Sequence, residues 1–299
     1  MTEPEKPTEA KNRAGAGREP LAKLPPPEHS AIRHVLAVMS GKGGVGKSTV
    51  SALLAAALAR SGRLVGVLDA DVTGPSIPKL LGVTGRPENI GLGLLPPESA
   101  SGIRVMSLNL LLDRADDPVI WRGPLVSGAV KQFWTDVIWG DLDYLVVDLP
   151  PGTGDSPLTV LQSLPVDGII IVSSPQDLAA MVVRKAVKMA RMLRVPILGL
   201  VENMTFVRCP RCGEEIHVFG PSRAGEICRD MGIRLLGSLP LDPALSALGD
   251  RGEIEHYKTT LFDNIPDLLA GLGSPEAGAG NGGRRHGPGR DGPEEDPRS

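Results

Sequence analysis

Residues 40–49 read Ser-Gly-Lys-Gly-Gly-Val-Gly-Lys-Ser-Thr, between the apolar run HVLAVMS (34–40) and the segment STVSALLAAALAR (48–60). The stretch satisfies G-x-x-x-x-G-K-[ST] in a strand–loop–helix setting, which commits the chain to a fold where a buried strand feeds a phosphate-binding helix. Gly41, Lys42, Gly43, Gly44, Val45 and Gly46 form the loop. Its glycines let the backbone wrap closely around phosphate, and its N–H groups join the helix N-terminus in binding the anion. Lys47 is expected to reach the β and γ phosphates of ATP, Ser48 to bind Mg²⁺, and Thr49 to touch the α-phosphate. The alternative is a chance glycine turn before a helix, which the complete pattern disfavours.

The rest of the chain repeats the same alternation. Apolar runs at 64–69, 142–149, 168–173, 197–202 and 233–239 predict buried strands, and helical patterns fill about 125–139, 177–193 and 222–231. Continuous apolar strands between helices imply an α/β fold, a P-loop NTPase with a mostly parallel, doubly wound sheet and helices on both faces. Residues 82–117, rich in Gly and Pro, read as loops and short strands. Residues 1–30 and 273–299 are Pro-, Gly- and charge-rich with almost no apolar face, and are expected to be disordered tails flanking an ATPase domain at 31–272.

Composition narrows the partners. A formal net charge of -3 and 3% aromatic residues argue against a nucleic-acid surface. No apolar run is long enough to span a bilayer, and the C-terminal tail has no apolar helical face for membrane targeting. Three cysteines and the absence of a signal-peptide pattern predict a reducing, cytoplasmic setting.

Two acids follow buried strands: Asp71 in Leu-Asp-Ala-Asp (68–71) and Asp148 before Leu-Pro-Pro-Gly (149–152). Ligands of open α/β sheets bind at the carboxyl ends of strands, where both acids fall. Asp148 is expected to help hold Mg²⁺, Asp71 to orient an attacking water, and Asp69 to support the metal shell. An Asp at a strand end can also simply cap the next turn. The segment PPGTGD (150–155) has the composition of a loop that responds to the γ-phosphate.

Lys42 is not needed to cradle phosphate in its own chain. A second lysine at the start of the loop resembles the deviant Walker A group, which includes MinD, ParA and the nitrogenase iron protein. That resemblance implies a lysine reaching across a dimer to the partner's nucleotide, as an arginine finger does. A solvated loop lysine is the plainer alternative.

Cys209-Pro-Arg-Cys212-Gly provides two thiolates two residues apart, half of a tetrahedral sulfur site. Cys228 falls in a helical pattern and reads as a small buried residue, while His217 is a possible third ligand. A Cys₄ site therefore needs two chains, and a homodimer provides them.

Together, SGKGGVGKST (40–49), LDADVTGPSIPKLLG (68–82), PVIWRGP (118–124), DYLVVDLPPGTGD (143–155), SSPQDLA (173–179), VPILGLVENM (195–204) and CPRCG (209–213) resemble the Mrp/NBP35 (ApbC) family of iron–sulfur cluster carrier ATPases. The resemblance implies a [4Fe–4S] cluster shared by Cys209 and Cys212 of two subunits, and Asn203 near the adenine. It also implies slow ATP hydrolysis gating transfer of the cluster to apoproteins, with docking to a scaffold protein left open. The sequence carries neither the N-terminal cysteine cluster of eukaryotic cytosolic members nor the small N-terminal domain of many bacterial ones. Two other readings stand beside this one: a nucleotide-controlled switch with structural zinc at the cysteines, which four thiolates suit equally, and a MinD- or ParA-like positioning ATPase.

Overall fold

The computed structural model describes residues 23–25, 28–72, 74–112, 123–176 and 179–272. The N-terminal half runs β1 (Ser30–Ser40), α1 (Lys47–Arg60), β2 (Val65–Asp69), α2 (Ile77–Leu80), β3 (Glu88–Asn89), β4 (Leu94–Leu95) and β5 (Arg104–Ser107). It continues with α3 (Gly123–Thr135), β6 (Gly140–Asp148), α4 (Asp155–Ser163), β7 (Gly168–Ser173), α5 (Ala179–Met192) and β8 (Ile197–Glu202). The chain then forms β9 (Val207–Arg208), β10 (Glu215–Ile216), α6 (Ala224–Met231), β11 (Leu235–Ser238), α7 (Pro243–Arg251) and α8 (Ile265–Leu272).

Seven strands make one sheet in the order β11-β8-β7-β1-β6-β2-β5, and every neighbouring pair is parallel. The alternation of a pleated strand divides the core in two. Val35, Ala37 and Met39 of β1 join Ile169 and Ile171 of β7 on one face. Leu36 and Val38 join Ile170 and Val172 on the other. Both faces are covered, so the strands carry unbroken apolar runs rather than apolar–polar alternation.

Helix α1 packs Val50, Leu53 and Leu54 into the second of these cores. It is buried almost all round, and its alanines Ala52, Ala55 and Ala56 let the neighbouring backbone approach. The first core takes Val130, Phe133 and Trp134 of α3 and Val183, Ala186 and Val187 of α5.

The structure refines several sequence expectations. Within 82–117, Arg104–Ser107 is β5, pairing in parallel with β2 at the sheet edge, while β3 and β4 form a separate antiparallel pair. The helix expected over 125–139 ends at Thr135, and Gly140, at φ 60°, turns the chain into β6. Within the N-terminal stretch read as a tail, the Leu24 amide donates to the Ser163 carbonyl at 2.9 Å and Trp134 Nε1 donates to the Pro25 carbonyl at 2.7 Å. Residues 1–22 and 273–299, and most of PVIWRGP, lie outside the described residues. Among the described residues, no helix is long and apolar enough to cross a membrane.

Candidate functional site

β1 sits between β6 and β7, so the chain crosses to opposite sides of it, and the loop after β1 opens at this switch point. That loop is the glycine-rich segment. Gly44 and Gly46 have φ of 78° and 80°, the left-handed region that side chains disfavour. Packing restricts the loop further. A Cβ on Gly46 would stand 2.2 Å from Asn203 Nδ2, and one on Gly41 would stand 1.9 Å from Val182 Cγ1 on α5.

Asn203 is buried at the end of β8 and anchors the loop. Its Nδ2 donates to the Val45 carbonyl at 2.9 Å, its Oδ1 accepts from the Met204 amide at 3.0 Å, and its own amide donates to the Ser173 carbonyl at 2.8 Å. Gly46→Ala is therefore expected to cost about 1–3 kcal/mol of stability, from the φ requirement and displacement of Asn203. It should also weaken ATP binding. Chemical denaturation and calorimetric titration check both effects, and unaltered stability would contradict the packing argument.

The carboxylates converge from two adjacent strands. Asp69 and Asp148 are register partners on β2 and β6, both buried. Asp148 Oδ2 accepts from Lys47 Nζ at 2.7 Å and from Ser48 Oγ at 2.6 Å, and its Oδ1 accepts from Ser51 Oγ at 2.7 Å. Asp71 Oδ2 lies 3.7 Å from Lys47 Nζ.

Asp69 has a different set of partners. Its Oδ1 accepts from the Asp71 amide at 3.2 Å. Its Oδ2 accepts from the amides of Ser76 and Ile77 at 3.1 and 3.2 Å and from Ser107 Oγ at 3.2 Å. It thus ties down the turn from Asp71 to α2, so the turn-capping alternative describes its observed contacts. Burial, and then the Asp148 carboxylate, push Asp69 up to about 8. Three buried carboxylates, Asp69, Asp71 and Asp148, gather about the Lys47 ammonium, and their mutual repulsion adds to burial in disfavouring a charge on Asp69.

Ser51, outside the glycine-loop motif, also belongs to the site. It lies one helical turn after Lys47, donates to the Lys47 carbonyl at 3.1 Å as well as to Asp148, and is fully buried. A hydroxyl on the inner face of an apolar helix was the available signal.

Two clefts adjoin the loop, and Thr49 lines both. One, about 400 Å³, is bounded by Gly43, Gly44, Lys47, Ser48, Asp71 and Pro151. The other, about 320 Å³, is bounded by Asn203, Met204, Pro240, Leu241 and Leu245. At the opposite side of the loop, Lys42 Nζ donates to Gln176 Oε1 in the segment after β7.

The cysteine pair caps the β9–β10 hairpin, six residues beyond Asn203. The Cys209 amide donates to the Glu214 carbonyl and the Gly213 amide to the Cys209 carbonyl, each at 2.9 Å, with Gly213 at φ 76°. Hydrogen bonds from the Cys212 amide, then the Arg211 amide, then the Cys212 thiol hold the Cys209 thiol below its ordinary pKa. Cys212 is exposed and Cys209 half-buried.

Cys228 is buried in α6, and its thiol is pushed up by burial and then by Glu202. His217 Nδ1 lies 3.2 Å from the Thr205 carbonyl. Among the described residues, no three His, Cys, Asp or Glu side chains gather to hold a metal, so the Cys209–Cys212 pair stands without a third ligand from its own chain.

The parallel seven-stranded sheet, the glycine loop at its switch point and the buried Asp148 define a P-loop NTPase of the ParA and MinD fold. MinD of Aquifex aeolicus superposes with a TM-score of 0.52 at 22% identity, over 80% of this chain and 96% of that one, which supports the shared fold. The family described as NUBPL iron-transfer P-loop NTPase (ParA) matches residues 31–268, and the chain belongs to it.

The iron-sulfur cluster carrier protein of Methanocaldococcus jannaschii is 48% identical over 225 residues, 75% of this chain and 78% of the relative. That of Clostridium perfringens is 44% identical over 234 residues, 76% of this chain and 82% of the relative. A nucleotide-binding protein from Archaeoglobus fulgidus, solved in complex with ADP, superposes with a TM-score of 0.70 at 46% identity, covering 78% of this chain and 91% of that one.

Proposed function

We propose that the protein is a slowly hydrolysing ATPase that works as a homodimer in the cytoplasm, carries an iron–sulfur cluster and passes it to apoproteins. The observation that carries this reading is the Cys209–Cys212 pair on the β9–β10 hairpin, Cys212 exposed and Cys209 half-buried, with the Cys209 thiol held below its ordinary pKa by the hydrogen bonds around it. Two thiolates per chain make a half-site, and a second copy completes a Cys₄ set for a [4Fe–4S] cargo. The relatives named as cluster carriers support the choice of iron over zinc.

In this reading Lys47 neutralises the β and γ phosphates, and the loop amides from Gly41 to Gly46 line the phosphate path. Thr49 meets the α-phosphate between the two clefts, and Asn203 borders the adenine. Ser48 Oγ and Asp148 Oδ2, 2.6 Å apart, are hard oxygen donors suited to Mg²⁺. When bound, the ion supplies charge neutralisation to the phosphates. Asp71 orients the attacking water, and Lys42 of one chain reaches the nucleotide of the other. Lys42→Ala is expected to lower the hydrolysis rate by about 10³-fold, the scale of a lost charge at a transferring phosphoryl group, while ATP affinity changes much less. Steady-state hydrolysis beside calorimetric titration checks this, and equal loss of both would remove the trans role.

The deciding experiment is anaerobic reconstitution with iron and sulfide, followed by metal and sulfide analysis and by sizing. About one cluster per two chains, in a dimer, is expected from two cysteines per chain. Stoichiometric zinc with no sulfide-containing chromophore would instead establish the zinc-clasped switch.

A further inference from the structure

Three features meet between the nucleotide loop and the cysteine hairpin. The first is the cis contact already described, in which Gln176 accepts a hydrogen bond from Lys42 within one chain. The second is a small cavity of about 20 Å³ beside Gln176, bounded by Ser173, Ser174, Glu202, Arg223 and Ile227. The third is Glu202 itself, 3% exposed at the end of β8, whose Oε2 is the one buried side-chain nitrogen or oxygen among the described residues without a hydrogen-bond partner.

A buried acceptor of that kind costs about 1–3 kcal/mol while it stays unsatisfied, so its retention calls for an explanation. Gln176 offers one. Its carbonyl is engaged by Lys42, while its amide nitrogen is a donor with the Glu202 acceptor across the same cavity.

We propose that Gln176 is a latch that holds Lys42 in cis and, once Lys42 leaves for the nucleotide of a second copy, donates its amide to Glu202. The inference rests on the trans role of Lys42 given above. It supplies an element with two discrete arrangements, which coupling between sites requires. In the first, Gln176 is bonded to the loop lysine and Glu202 keeps an idle oxygen. In the second, the lysine has crossed the interface and Gln176 is drawn to the end of β8.

Glu202 leads into both functional segments. The next residue, Asn203, grips the nucleotide loop, and the hairpin bearing Cys209 and Cys212 follows. Ser222, beyond the hairpin, also bears on the Glu202 carboxyl, where its hydroxyl opposes the upward push of burial. Movement of Lys42 is thereby felt at both ends of the segment that carries the cysteines.

The test is the protein-concentration dependence of ATP hydrolysis by the full chain, with nucleotide-dependent self-association followed by sedimentation. Gln176 is exposed, so substitution leaves the core untouched. Gln176→Ala removes the competitor for Lys42. The variant also loses the bond to Glu202, so the comparison is made in a Glu202→Met background, where that bond cannot form. Half-maximal hydrolysis and dimerisation of Gln176→Ala/Glu202→Met should fall to a protein concentration about three- to tenfold lower than those of Glu202→Met, the equilibrium equivalent of one such hydrogen bond. Gln176→Glu replaces a neutral acceptor by an anion facing the ammonium and sets a second carboxylate against Glu202, so its midpoint should move to higher concentration.

A Gln176→Ala/Glu202→Met midpoint equal to or above that of Glu202→Met overturns the latch while leaving the trans lysine standing. A wild-type rate per chain that is independent of concentration, with no self-association, overturns both.

Discussion

Lys47→Ala abolishes tight ATP binding, with an expected loss of at least about 10²-fold in affinity, because truncating one partner of a desolvated charge contact costs about 2–5 kcal/mol. The residue is 5% exposed, and its ammonium lies 2.7 Å from Asp148 and 3.7 Å from Asp71. Its removal also leaves Asp148 fully buried with only the hydroxyls of Ser48 and Ser51 as partners. The variant is therefore expected to melt earlier as well, since an uncompensated buried carboxylate is destabilising. Lys47→Ala/Asp148→Asn separates the two losses: the second substitution should recover much of the thermal stability without recovering nucleotide affinity. Calorimetric titration with ATP, beside thermal melting of both variants, makes the comparison. An affinity within threefold of wild type in Lys47→Ala would end the assignment of this loop to phosphate.

On the proposed function, Cys209→Ala/Cys212→Ala is expected to take cluster content from about one per two chains to none, because Cys228 alone cannot supply a four-thiolate site. Among the described residues the pair has no third metal-ligating neighbour, and Cys228 is buried within α6. The fold is expected to survive the change. The hairpin keeps its backbone hydrogen bonds between Cys209 and Glu214, its Arg208–Glu215 ion pair at 2.8 Å, and the positive φ of Gly213. Nucleotide affinity measured on the same preparation serves as the folding control and should be retained. Cys228→Ala serves as the chemical control, expected to keep its cluster. Cluster loss in that variant would rewrite the ligand set, and a cluster persisting in the double variant would place it elsewhere.

The parts of the molecule read well from sequence are those where local chemistry and tertiary packing ask for the same residues. The 168–173 and 197–202 strands have the expected bounds because they are buried on both faces and end at sharp changes of composition. The nucleotide loop was legible for the same reason, since its glycines answer to backbone geometry. β5 was harder to see: four residues, RVMS, are too few to establish a period, and the strand owes its existence to pairing with β2. Position alone puts Asp69 in the metal shell, whereas its bonds run to the turn that follows and to Ser107 on β5. Ser51 and Gln176 carry no motif, because each is engaged with a partner far along the chain, Asp148 in one case and Lys42 in the other. Contacts of that span leave no local pattern.

The order of the strands has a geometric corollary. β1 and β8 are separated by β7 alone, and neighbouring strands stand about 4.8 Å apart, so the root of the nucleotide loop and the end of β8, from which the chain runs on to the cysteine hairpin, lie ~10 Å apart on one rim. Any molecule seated across that rim must accommodate both at once. On the proposed function, a partner that matched the loop but not the cysteines would meet only half of that rim.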